Sequence, residues 1–203
     1  MNDYLNYTQA RDAAWQMLID CHVSQLPVRL TPICQHYGWT LATYAEAQQA
    51  LEELDLTSLA ASTDGFCLHL SGRYYIFFDD HTPRGRQRFT VAHEIGHIML
   101  GHVGAGECTT INRDPKPTDA PEEVQANQFA TRILAPAWVL HSIGATTSAQ
   151  IAKVCAISNA AARFRAKRME ELERRNRYLS HPLERQIAQQ FGSYVTRFRG
   201  RLD

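Results

Sequence analysis

Cysteine is scarce and unpatterned in this 203-residue chain: Cys21, Cys34, Cys67, Cys108 and Cys155 are odd in number, widely spaced and form no C-x-x-C. That excludes a disulfide scaffold and a cysteine zinc knuckle, and it suits free thiols in a reducing cytosol. No run of about 18 apolar residues occurs, so no membrane span is expected. The opening MNDYLNYTQARDAAWQML has acids and no basic stretch ahead of an apolar one, which argues against a signal peptide and for a cytoplasmic protein. Net charge is missing too: 21 Lys plus Arg balance 21 Asp plus Glu, so global electrostatics call for no polyanionic partner. Internal repeats and low-complexity linkers are absent. Locally the balance is uneven, because Arg163, Arg165, Lys167, Arg168, Arg174, Arg175 and Arg177 crowd the C-terminal part.

What is present is ordinary globular composition, 44% hydrophobic and 21% charged, at a length that fits one domain or one domain with an appendage. Residues 4–22 carry Ala10, Ala14, Met17 and Leu18 on one helical stripe. A turn and a short helix follow, stopped by Gly38, and then WTLATY alternates as a strand does. LEELDLTSLAA fits a helical turn or a loop. Phe66 to Leu70 and Tyr74 to Phe78 flank Ser71-Gly72-Arg73 and predict a hairpin. A helix is expected from about Arg84–Gln87 through Leu100, then a Gly- and Pro-containing loop, then a helix from Glu122 to Leu134 ended by Pro136. Helices are predicted over about 148–154, 159–177 and 182–198. The expectation is an α+β fold, a small antiparallel sheet wrapped by helices, with residues 1–145 as the main domain and 146–203 as a helical C-terminal region.

One predicted helix carries polar groups that a core helix has no use for. VAHEIGHIML holds His93, Glu94 and His97 among apolar residues, and buried polar groups need partners. Positions i and i+4 share a helix face, so His93 and His97 converge on one point and suit a tetrahedral Zn²⁺. Glu94 is rotated off that point, beside the metal, where it can take a proton from zinc-acidified water. This is the H-E-x-x-H logic of metalloproteases.

A catalytic zinc needs a third protein ligand. The metzincin spacing fails, since Gly101 and His102 each miss the required slot by one, and His102 then stands as a helix-end residue. The remaining source is an acid on the following helix, Glu122 or Glu123. Asp119 and Pro121 give Glu122 a capping role. Glu123 has Asn127 one turn on, positioned to hydrogen-bond the free nitrogen of a zinc-bound histidine, and is the preferred ligand.

RFTVAHEIGHIMLGH followed by EVQANQFATRILAP resembles the ImmA/IrrE family of metallo-endopeptidases. There an RFTLAHELGH-type helix precedes an E-x-[E/Q]-A-N-x-F-A-x-x-L-L-M-P helix. Glu123, Gln125, Ala126, Asn127, Phe129, Ala130, Leu134 and Pro136 match, and Ala135 stands where Met is usual; LPVRLTPICQHYGWTL resembles the family's entry segment more weakly. The resemblance implies a zincin-like core, zinc held by His93, His97 and Glu123, and Glu94 as general base. It also implies cleavage of a specific regulator, such as a helix-turn-helix repressor of a prophage, mobile element or stress response. It names no oxyanion partner, and His81, His102, Tyr75, Arg113 and His141 stay open.

SAQIAKVCAISNAAARFRAKR has the cadence of a helix-turn-helix. Asn159 and Arg163 are suitable DNA readers, but Ala160, Ala161 and Ala162 are not, which favours an amphipathic pair packed on the core over a DNA-binding unit. The alternative function is a module that keeps the fold and acts by binding a partner or DNA without turnover. Glu94 counts against it, since binding alone does not need a base. Composition does not fix an oligomeric state.

Overall fold

The computed structural model describes residues 2–104 and 120–199, with side chains described from Tyr7 onward. The chain opens with helix α1, Asn2–Asp20, whose Ala10, Ala14, Met17 and Leu18 are fully buried, as the stripe predicted. Helix α2, Leu30–His36, ends before Gly38, which takes the left-handed conformation (φ 71°) that only glycine adopts without cost. Strand β1, Thr40–Thr43, and two short helices, α3 (Gln48–Glu53) and α4 (Thr57–Ser62), lead to the hairpin of β2 (Gly65–Leu70) and β3 (Arg73–Phe78). Ser71 and Gly72 form its two-residue turn with φ of 51° and 73°, the mirror-image geometry that matches strand twist.

The sheet has the order β1-β3-β2. β2 pairs antiparallel to β3, but β1 pairs parallel to it, with Leu41 opposite Ile76, so the sheet is mixed and not wholly antiparallel as expected. The physical reason lies in α3 and α4, which carry the chain from the end of β1 across to the opposite edge, so that β2 runs antiparallel to β1 and the hairpin turns β3 into the gap between them, parallel to β1. Pleating sorts the side chains. Cys67 and Ile76 face the main core, while Phe66, Leu68 and Phe77 face a smaller cluster with Ala47, Leu51 and Ala60 from the short helices.

Across the main-core face lies α5, Arg84–Met99, and against it α6, Pro121–Leu134. On α6 the stripe Ala126, Phe129, Ala130, Ile133 and Leu134 is at most 1% exposed. The two helices approach closely at Gly96, where a Cβ would stand 3.2 Å from the Cα and carbonyl oxygen of Ala126. Pro136 ends α6 and caps a further short helix, α7 (Ala137–Ile143), which the sequence pattern did not announce. Asp119, the expected cap of α6, lies outside the described residues, and the N-cap position is held by Ala120 with Pro121 next.

Helices α8 (Ser148–Cys155) and α9 (Asn159–Arg174) are joined by the tight turn Ala156-Ile157-Ser158, with Thr147 and Ser158 as side-chain N-caps. Helices α10 (Pro182–Gln190) and α11 (Gly192–Phe198) divide the last predicted helix at Phe191. The main core is continuous across the whole arrangement: Ile151, Cys155, Ala162, Met169, Ile187 and Phe191 belong to the same cluster as Val91, Ile95 and Phe129. Two arginines, Arg88 half-buried and Arg165 buried, hold the parts together. Arg88 of α5 donates to the carbonyls of Ala156 (3.0 Å), Val28 (2.9 Å) and Cys155 (3.2 Å), and Arg165 of α9 donates to that of Ala135 (2.7 Å). Burial pulls the Arg165 guanidinium down to about 10. Among the described residues, no helix is long and apolar enough to cross a membrane.

Candidate metal centre

The helix that carries H-E-x-x-H is buried nearly all round, with Val91, Ala92, Ile95 and Ile98 in the core and His93, Glu94 and His97 at 2%, 0% and 2% exposure. One turn separates the two imidazoles, and both aim Nε2 at the same point. Their Nε2 atoms are 2.8 Å apart. Glu123, from the first turn of α6, completes the group: Oε2 is 3.2 Å from His93 Nε2, and Oε1 is 3.2 Å from His97 Nε2. His93, His97 and Glu123 form a cluster that could hold a metal ion. Glu122, one residue earlier, is exposed and outside that cluster. The close approach at Gly96 and Ala126 explains how side chains from two helices meet, because Glu123 and Asn127 flank Ala126 on α6.

Electrostatics agree with geometry. Burial works against the Glu123 carboxylate, but the hydrogen bonds and charge of His93 and His97 outweigh it and hold its pKa well below the usual range. Glu94, next to His93 on the same helix, is fully buried and stands outside the three-ligand group.

Around the cluster stands a second layer. Asn127 Oδ1 lies 3.0 Å from His93 Nδ1; an amide oxygen there accepts the Nδ1 proton and leaves Nε2 bare. His102 Nδ1 lies 3.1 Å from His97 Nδ1, and His102 Nε2 lies 2.8 Å from Gln125 Oε1. Burial lowers the His102 pKa. Sequence reasoning treated His102 as a helix-end residue and gave Gln125 no role. The missed signal was Gly101: its φ of 73° ends α5 in a turn whose His102 N–H returns to the His97 carbonyl at 2.9 Å and whose Gly101 N–H returns to Ile98 at 3.1 Å. That turn folds His102 back beside His97.

The other residues considered as oxyanion partners lie elsewhere or outside the description. His81 is exposed beside Asp79 and Asp80, and these three form a second, surface cluster of metal-capable groups. Tyr75 faces the smaller core, on the side of the sheet away from α5. His141 stacks on Tyr178 and pairs with Glu173 at 3.0 Å. Arg113 falls outside the described residues.

Residues 53–176 match the model of the IrrE N-terminal-like peptidase domain. This span is more than half of the chain, and it includes α5, α6 and every residue of the buried cluster. The chain belongs to that family. Its activity class is therefore peptide-bond hydrolysis and its substrate a protein or peptide. No curated protein matches the chain. Helices α1, α2, α10 and α11 and strand β1 lie outside the family span and build the flanks of the same core.

Proposed function

We propose that this IrrE-like peptidase is a cytoplasmic zinc-dependent endopeptidase that cleaves one regulatory protein, a helix-turn-helix repressor of a prophage, mobile element or stress response. The observation that carries the metal reading is the meeting of two Nε2 atoms and one carboxylate at mutual distances of 2.8–3.2 Å in a buried setting. A tetrahedral site with bonds of about 2.0–2.1 Å has ligands about 3.3 Å apart, so the donor set fits zinc in kind and in spacing. Zinc supplies Lewis acidity there, polarising a carbonyl oxygen and making water acidic enough to deprotonate near neutrality.

The chain's own residues supply the rest. His93, His97 and Glu123 hold the ion, Asn127 orients the ring of His93, and Glu94 takes the proton from the attacking water. Water's oxygen joins the carbonyl carbon, the C–N bond breaks, and Glu94 returns the proton to the departing amine. Restriction to one regulator is supported by the family resemblance alone.

The test uses the purified protein with zinc and a candidate helix-turn-helix repressor, nominated by its gene lying next to that of this protein, with products read by mass spectrometry. Wild type is expected to cut at a defined bond. Glu94→Gln is expected to retain zinc by elemental analysis and lose cleavage, whereas His97→Ala is expected to lose both. Cleavage retained by Glu94→Gln would sink the base assignment, and an intact repressor with zinc-loaded wild type would sink the substrate.

A further inference from the structure

We propose that His102 and Gln125 are positioning residues that lock His97 in the tautomer able to bind metal. This rests on His97 serving as a metal ligand. For His97 Nε2 to offer a lone pair toward Glu123 and His93, the proton of the neutral ring must sit on Nδ1. The group facing Nδ1 is His102 Nδ1 at 3.1 Å, which therefore has to accept. His102 must then carry its own proton on Nε2, where Gln125 Oε1 accepts it at 2.8 Å. Each bond dictates the direction of the next, and the chain ends on an atom that only accepts.

Reversal shows what Gln125 controls. An amide N–H facing His102 would make Nε2 the acceptor and move the His102 proton to Nδ1. That proton would be donated to His97 Nδ1, and the His97 proton would move to Nε2, onto the ligand position itself. Gln125 is 8% exposed and His97 2%, so at these two ends of the chain water is poorly placed to relieve a wrong assignment, while His102 between them is half-buried. His93 has the same device in one step, through Asn127. The two ligands are thus oriented from Asn127 and Gln125, two positions apart on α6, while the turn at Gly101 supplies the extra link for His97.

The experiment compares full-length wild type, Gln125→Met and Gln125→Glu. Methionine keeps the length and removes the acceptor; glutamate keeps an acceptor and cannot present a donor when ionised. Zinc affinity is measured at pH 8 by competition with a chromogenic chelator. Gln125→Met is expected to bind about 10- to 100-fold more weakly, with Gln125→Glu within about threefold of wild type. In zinc-loaded wild type, long-range ¹H–¹⁵N spectra of the imidazoles are expected to show His102 protonated on Nε2 and bare on Nδ1. This second readout needs no variant to fold, and a merely structural Gln125 would not fix it. Protonation of His102 on Nδ1, or equal zinc affinity in wild type and Gln125→Met, would overturn the proposal while leaving the metal site intact. Wild type that binds no zinc would overturn the metal reading and this inference with it.

Discussion

Glu122 and Glu123 differ by one position on the same helix, and only Glu123 reaches the histidines. The pairing of His93 with His97 was legible because four residues is nearly one helical turn, and Glu123 became legible through its company with Asn127. The bond from His102 to His97 was not, because it depends on a glycine turn that reverses direction and not on helical spacing. Buried thiols are a second residue-scale matter. Burial pushes Cys34 and Cys155 from an ordinary value of about 9 up to about 12. The folded protein therefore keeps protons that the unfolded chain gives up. Their contribution is fully present below about pH 9 and is lost as pH rises toward about 12. Tyr37 and Tyr178, also raised to about 12 by burial, act with the same sign. The thermal midpoint is expected to fall as pH is raised from about 8 to about 11, and less steeply in the Cys34→Ala/Cys155→Ala variant. Parallel curves for the two proteins would remove the thiols as the cause.

At the scale of elements, the distance between α5 and α6 sets the spacing of the candidate ligands. Gly96 lets the helices touch, since a side chain there would press on the Ala126 backbone and on Phe129. Gly96→Val is expected to wedge them apart, costing about 1–3 kcal/mol of stability and separating Glu123 from the two imidazoles. Denaturant melts and zinc titration of the same preparation check both effects; unchanged zinc affinity would mean that the helices adjust without moving the cluster. Element type was largely readable from periodicity and punctuation: the stripes of α1 and α6, the Ser71-Gly72 turn, and Pro136 as a stop. Pairing direction was not. β1 is four residues long, and nothing within TLAT distinguishes a parallel from an antiparallel neighbour. The short α7 escaped because Pro136 reads as a terminator while also opening the next helix, and the break at Phe191 escaped because apolar spacing runs through it.

For the whole molecule, Arg88 and Arg165 bind the C-terminal helices to the pair α5 and α6 at the end away from the histidines. Arg88 grips the α8–α9 turn from the start of α5, and Arg165 grips the end of α6 from α9. The helices that carry the cluster are thereby anchored to a core shared by nearly every element, and only that assembled core brings His93, His97 and Glu123 together. An unfolded chain has no comparable trio, so an ion that fills the space between them stabilises the native state alone. At a free zinc concentration 100 times its Kd the gain is about 2.7 kcal/mol, worth about 5–10 °C in the melting temperature of a chain this size. Adding a chelator is expected to reverse the shift, and a melt insensitive to both would argue that the cluster stays vacant. On the zinc reading proposed above, the 2.8 Å gap between two imidazole nitrogens would make the melting curve a gauge: the temperature at which the protein unfolds would read out how much free zinc surrounds it.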